Sequence, residues 1–340
     1  MKELWAILCT ILVLPVVAFS AASSGTNNSN TAPYQGATAP HPKLPQDPYL
    51  TALDDIKSPI PSVRLAAVQV LAQNRNPASI APLTQALSDK NPAVCAAAIH
   101  ALGLLRVKAV APKIAQLLAT SQASQVRQNA AVALAYLADP AAIPTLISAI
   151  SDSHRSVRYA AIKTLGSLHA QAALPALINT LKSSNANIRE TAAAALGQIQ
   201  SPKASSALAA LTTDPNIQVR EAAVIALGST GGKTAISPLL KALKDSNFSV
   251  SLDAARSLSK LGNFKGKSVA LKGLSQKNSF LRQEAVTVLG MTGGKKALLA
   301  LEKLSKKEKD PATISLIGFA EAQIKGRLGI RPTPPQSRKK

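Results

Sequence analysis

At 340 residues the chain is longer than one ordinary globular domain, unless it forms an elongated array. Hydrophobic residues make up 46% and aromatics only 3%, so alanine and leucine carry the apolar content, which suits small-residue helix packing and excludes a bulky aromatic core. With 39 Lys+Arg against 17 Asp+Glu the net charge is +22, which favours anionic partners and leaves the fold open.

The chain begins with a short polar start followed by an apolar run from Leu4 to Phe19. As a helix that run would span about 24 Å, short of the roughly 30 Å of a bilayer core. Small residues follow, and cleavage after Ser20 or Ala22 fits a secretory signal. Residues 1–22 are therefore expected to be a signal peptide of an exported protein, periplasmic or secreted; the alternative is an uncleaved anchor. Cleavage would remove Cys9 and leave Cys95 alone, expected as a buried inert thiol within a helical Ala-rich run. Residues 23–47, rich in Ser, Thr, Asn, Gly and Pro, are expected to be a disordered linker. Pro48 to Ile56 reads as a lone amphipathic helix, an N-terminal cap.

From there one pattern recurs. An apolar anchor stands at Val63, Val94, Val126, Val157, Ile188, Val219, Val250 and Leu281, at intervals of 31 residues and once of 32. Four positions on stands alanine in every copy, from Ala67 to Ala285, and eight positions on stands leucine, from Leu71 to Leu289. These three positions lie within about 80° of one another on a helix and form one apolar stripe. Gly103, Gly166, Gly197, Gly228 and Gly290 follow the leucine, where glycine is expected to loosen or end this first helix. Pro82, Pro112, Pro144, Pro175 and Pro238 then mark the first turn of a second helix. A pair of this size buries its stripes only against neighbouring pairs, so the copies must stack.

The V-R-x-x-A-x-x-x-L-G pattern, as in Val157 to Gly166, resembles the HEAT repeat, in the short form first described in phycobilisome lyases. The resemblance covers about Asp54 to Gly326, with a half-repeat from Pro311 to Gly326 closing the stack. It implies an all-α fold: a right-handed α-solenoid, an armadillo-like superhelix of about eight ~31-residue helix pairs with terminal caps, filling residues 48–326. It further implies that the second helices line a concave, partner-binding face. It implies no single activity, because the fold hosts scaffolds, lyases, hydroxylases and nucleic-acid enzymes alike.

One polar position also repeats. Arg64, Arg127, Arg158, Arg189, Arg220 and Arg282 follow the anchor directly, with Cys95 and Ser251 replacing it twice; Asp89, Asp152, Asp214 and Asp245 stand five residues before an anchor. The arginine lies about 100° from the anchor, beside the packed stripe, so this ladder is read as structural, with the aspartates as helix caps or as its partners.

Chemistry is sparse. The histidines are His41, His100, His154 and His169, with no His-Glu pair, no H-x-x-x-H and no C-x-x-C, which disfavours di-iron and zinc sites. Gly-x-Ser-x-Gly is absent, and Gly231-Gly232-Lys233-Thr234 lacks phosphate-loop spacing and reads as an inter-helix turn. No catalytic, cofactor-binding or metal residue is assigned, and the protein is not expected to be an enzyme; a lyase-like activity is the least favoured reading.

Charge is the remaining lead. Residues 151–340 carry 29 Lys+Arg against 11 Asp+Glu. Lys265, Lys267, Lys272, Lys295, Lys296 and Lys303 are the candidate partner- or anion-binding residues, and residues 327–340 form a basic Pro-containing tail. The function expected is an exported, monomeric scaffold binding a protein partner, an acidic one included, through its concave face. The alternative is a binder of an anionic glycan, lipid surface or nucleic acid through the basic C-terminal repeats.

Overall fold

A computed structural model describes residues 47–330, and over these residues the chain is all-α, with eighteen α-helices and no strand. The apolar run from Leu4, the linker up to residue 46 and the tail from residue 331 lie outside the described residues.

Helix α1 (Pro48–Asp55) packs on the first repeat. Eight helix pairs follow: α2 (Pro61–Asn74) with α3 (Ile80–Ala86), α4 (Pro92–Leu104) with α5 (Ala111–Thr120), and α6 (Ser124–Leu137) with α7 (Ile143–Ala149). Next come α8 (Arg155–Ser167) with α9 (Leu174–Thr180), α10 (Ala186–Ile199) with α11 (Ser205–Ala210), and α12 (Ile217–Thr230) with α13 (Ile236–Ala242). The last pairs are α14 (Phe248–Lys260) with α15 (Lys267–Gly273) and α16 (Ser279–Thr292) with α17 (Lys295–Ser305). A final helix, α18 (Pro311–Arg327), stands alone and packs on α16 as one more first helix.

The anchor, alanine and leucine of the stripe are buried in every repeat, except that the terminal anchors Val63 and Leu281 remain partly exposed. Asparagine starts many of the first helices: the side chains of Asn91, Asn185, Asn216, Asn247 and Asn278 each accept a hydrogen bond from an amide of the first turn. Proline occupies the second residue of α5, α7 and α9, where no intrahelical partner is lost.

The glycines after the leucine do not end the first helices. Gly103, Gly166, Gly197, Gly228 and Gly290 all lie inside them, and the helix runs on toward a left-handed residue such as Arg75, Arg106, Ala138, His169 or Gln200. Their role is close approach. A Cβ on Gly103 would sit 2.9 Å from the Cβ of Ala133, one on Gly166 2.8 Å from the Cα of Ala195, and one on Gly290 3.1 Å from the Cβ of Ala320. Glycine on one helix meets a small residue on the next, and the backbones nearly touch. The Gly290–Ala320 contact also fixes the register of α18, placing Thr313 at the anchor position.

First helices therefore pack directly on one another from α2 to α18, while second helices pack mainly on the first helices beside them. The first helices thus form one closely crossed inner layer, and the second helices pack outside it.

Glycine is missing from three crossings, where Ala72 and Ala101, Ala135 and Thr164, and Ser259 and Val288 take the place of the small pair. The buried core divides within α14: Val250, Ala254 and Leu258 belong to a cluster reaching back to α1, and Leu252 and Ala255 to one running on to α18.

Close approach sets the cost of substitution at these positions. Gly166→Ala is expected to destabilise by about 1–3 kcal/mol through overpacking, although alanine is the better helix former. Gly318→Ala, on open surface of α18, should be neutral or stabilising by up to about 1 kcal/mol, and Leu165→Ala should cost about 2–5 kcal/mol. Urea titrations of the three variants rank them.

Candidate interaction surfaces

The arginine after each anchor is a clamp. Arg189 gives Nε and Nη2 to the two carboxylate oxygens of Asp214, both at 2.8 Å, while its Nη1 reaches the carbonyls of Ser183 and Ser184 at 2.8 and 3.1 Å. It thus ties its own entry loop to the entry loop of the next repeat. Arg64 with Asp89, Arg127 with Asp152 and Arg220 with Asp245 repeat the geometry, and Arg282 pairs with Glu308. Arg158 makes only the carbonyl contacts, to Asp152 and Ser153, because Ser183 stands where the acid would be. Where arginine is lost, Ser251 reaches the carbonyl of Asp245, and the thiol of Cys95 sits 3.2 Å from the carbonyl of Leu87. Cys95 is buried, which pushes its thiol up from the ordinary range.

Each clamp fixes the charge of its acid. Hydrogen bonds from Arg64 and Arg127 hold Asp89 and Asp152 below the usual carboxylate range, and those from Arg282 hold Glu308 down at about 2. The guanidinium groups are consumed by these contacts, so the ladder offers no free row of cations to a ligand.

The inner face presents what lies opposite the buried stripe, six and ten positions after each anchor. Exposed apolar side chains stand there: Leu104, Tyr136, Ile225 and, on α18, Phe319. Between α2 and α4 this face opens into a groove of about 600 Å³ lined by Val68, Gln69, Gln73, His100 and Leu104.

Further along, acids line the same layer: Glu190, Glu221, Asp253 and Glu284 occupy neighbouring first helices, with Arg256 among them. Arg256 lies 3.0 Å from Asp253 and 3.2 Å from Glu284. Burial pushes the Asp253 carboxyl up to about 6, Arg256 opposing the shift and Glu284 and Glu221 adding to it.

A family model described as HEAT repeats matches residues 50–135, 111–181, 143–216 and 207–276. The chain belongs to the HEAT-repeat family. The X-ray structure of YibA from Escherichia coli superposes with a TM-score of 0.53 at 21% identity, over 76% of this chain and 96% of that one. The crystal structure of an engineered protein matches 82% of this chain and 89% of its own, at 21% identity and a TM-score of 0.49. No curated protein matches the sequence.

On this HEAT stack the six candidate lysines fall on the outer layer. Lys267 and Lys272 belong to α15, Lys265 to its entry turn, and Lys295, Lys296 and Lys303 to α17; all are exposed. They are not joined to the inner groove or to the acids. The histidines are scattered: His100 lines the groove, His154 precedes α8 near Arg127, and His169 faces the carbonyl of Gln198. Gly231 and Gly232 form a turn with φ of 71° and 89°. Among the described residues no cluster of His, Cys, Asp or Glu has the arrangement of a metal site, and no helix is long and apolar enough to cross a membrane.

Sequence reasoning missed the inner row and the Asp253–Arg256–Glu284 group. Both could have been found by reading the positions on the far side of the helix from the repeating stripe.

Titration separates the two kinds of acid. Depressed carboxyls contribute stability that is present above about pH 4 and lost as pH falls toward 2, whereas raised Asp253 carries a cost that sets in above about pH 4 and is complete above about pH 6. The thermal midpoint is expected to rise slightly from pH 7 to 5 and then fall steeply below about pH 4. Arg189→Ala should cost more at neutral pH than Arg158→Ala, and equal losses would exclude the clamp. Asp253→Asn should raise the midpoint at pH 7.5 and have little effect near pH 4.

Proposed function

We propose that the protein is an exported HEAT-repeat scaffold that binds a protein partner through its concave, first-helix face. HEAT repeats build protein-interaction scaffolds, and the fold places one solvent-facing row of side chains from each repeat along a single inner surface. The observation that carries the reading is the composition of that row. Leu104, Tyr136 and Ile225 stay exposed on the face of the first helices opposite the buried stripe, and Leu104 borders the groove between α2 and α4. Aromatic and aliphatic side chains set in a concave face are the usual anchors of a protein interface.

No reaction is assigned; among the described residues no group of His, Cys, Asp and Glu has the arrangement of a metal site. Export rests on the apolar run from Leu4 to Phe19 and the small residues after it.

Two measurements test the proposal. Mass spectrometry of the protein from a secreting host is expected to find an N-terminus at residue 21 or 23; an intact Met1 sinks export. Cross-linking capture from native extract should yield a stoichiometric partner that is lost with Leu104→Glu/Tyr136→Glu. It should be retained with Lys272→Gln/Lys303→Gln on the outer layer. The reverse pattern would overturn the assignment of the face.

A further inference from the structure

The outer layer of the last two repeats carries a second surface, independent of the inner face. Lys265 and Lys296 stand 31 residues apart, as do Lys272 and Lys303, and Lys241 on α13 continues the second row. Lys296 and Lys303 stand two helical turns apart on α17, while Lys265 lies in the turn before α15 and Lys272 within that helix. The repeat register sets each lysine of one pair beside its counterpart in the next repeat, with about 10 Å along α17 and about 10 Å between neighbouring second helices. None of the four is in an ion pair: among the described residues the lysine ion pairs are those of Lys325.

Apolar groups project from the same patch. Leu299 is 66% exposed. It lies three residues after Lys296 and four before Lys303, on the face of α17 opposite buried Leu301. In the entry turn of α15, Phe264 is 49% exposed, and the Lys267 ammonium sits 5.3 Å from its ring centre. Leu299 is the most exposed of the large apolar side chains among the described residues.

We propose that the outer face of repeats seven and eight docks on an anionic lipid bilayer, with the lysines against the headgroups and Leu299 and Phe264 entering the interface. Two features select a bilayer over a soluble polyanion. The charges form a two-dimensional patch, whereas a linear polymer is served by a single row. Moreover, a polyanion gains nothing from a leucine projecting between the ammonium groups, while interfacial binding draws on apolar insertion and headgroup attraction together. The long lysine stems keep their charge at headgroup level as the leucine enters.

The test is partitioning of the full chain onto vesicles of phosphatidylcholine alone and of phosphatidylcholine with phosphatidylglycerol, using about a third as the anionic fraction. Binding is expected on the anionic vesicles and should weaken steeply as salt is raised. At about 1 kcal/mol, or fivefold, per lysine, Lys272→Gln/Lys296→Gln/Lys303→Gln should lower the anionic partition coefficient about 100-fold. Leu299→Ser alone should lower it several-fold, and both variants should keep the wild-type unfolding midpoint. A triple variant that partitions like wild type would place the binding elsewhere in the chain and overturn the proposal. So would a triple variant that loses binding while Leu299→Ser keeps it, since that pattern describes a surface for soluble polyanions.

Discussion

Everything in this fold depends on how closely two first helices can cross. Where glycine faces alanine, backbone meets backbone, and the side chains flanking the crossing are sealed from water without any aromatic residue. This explains how a chain with 3% aromatics maintains a buried core along its stack. The small residues do not weaken the hydrophobic drive; they shorten the distance over which leucine and valine must reach. The same approach draws the first-helix layer tight, so layer and core have one origin.

The arginine clamps act at the edge of that layer, not within it. Each spans two successive entry loops and uses up its donors on one carboxylate and two carbonyls. Largely desolvated pairs of this kind give little net stability but penalise any other arrangement of the loops, because a misplaced loop leaves a carboxylate without its partner. Their absence at Arg158, Cys95 and Ser251 shows that the stack tolerates single omissions.

Architecture was legible in the sequence because stacking demands periodicity. Ala161 and Leu165 must recur wherever a first helix recurs, and the interval between copies measures the repeat directly. The glycines misled, since Gly166 inside a helix and a glycine ending one look alike until a neighbouring backbone is in place. The layers were not legible for the same reason: which helices cross most closely follows from distances between repeats, which no single repeat contains. Surface residues carry no such demand. Leu104, Tyr136 and Ile225 share a face but not an identity, and Asp253 acquires its raised titration in part from Glu221 and Glu284, one repeat away on either side. The lysines were legible as charge, but their position on the outer layer, and so their separation from the groove, was not.

The buried core divides within α14, whose Val250, Ala254 and Leu258 join the long cluster behind it and whose Leu252 and Ala255 join the cluster ahead. The lysine patch lies wholly on one side of that division, on α15 and α17, and the apolar groove lies far along the other, between α2 and α4. The two surfaces thus lie near opposite ends of one stack, so a partner seated in the groove and a surface met by the lysines do not compete for the same space.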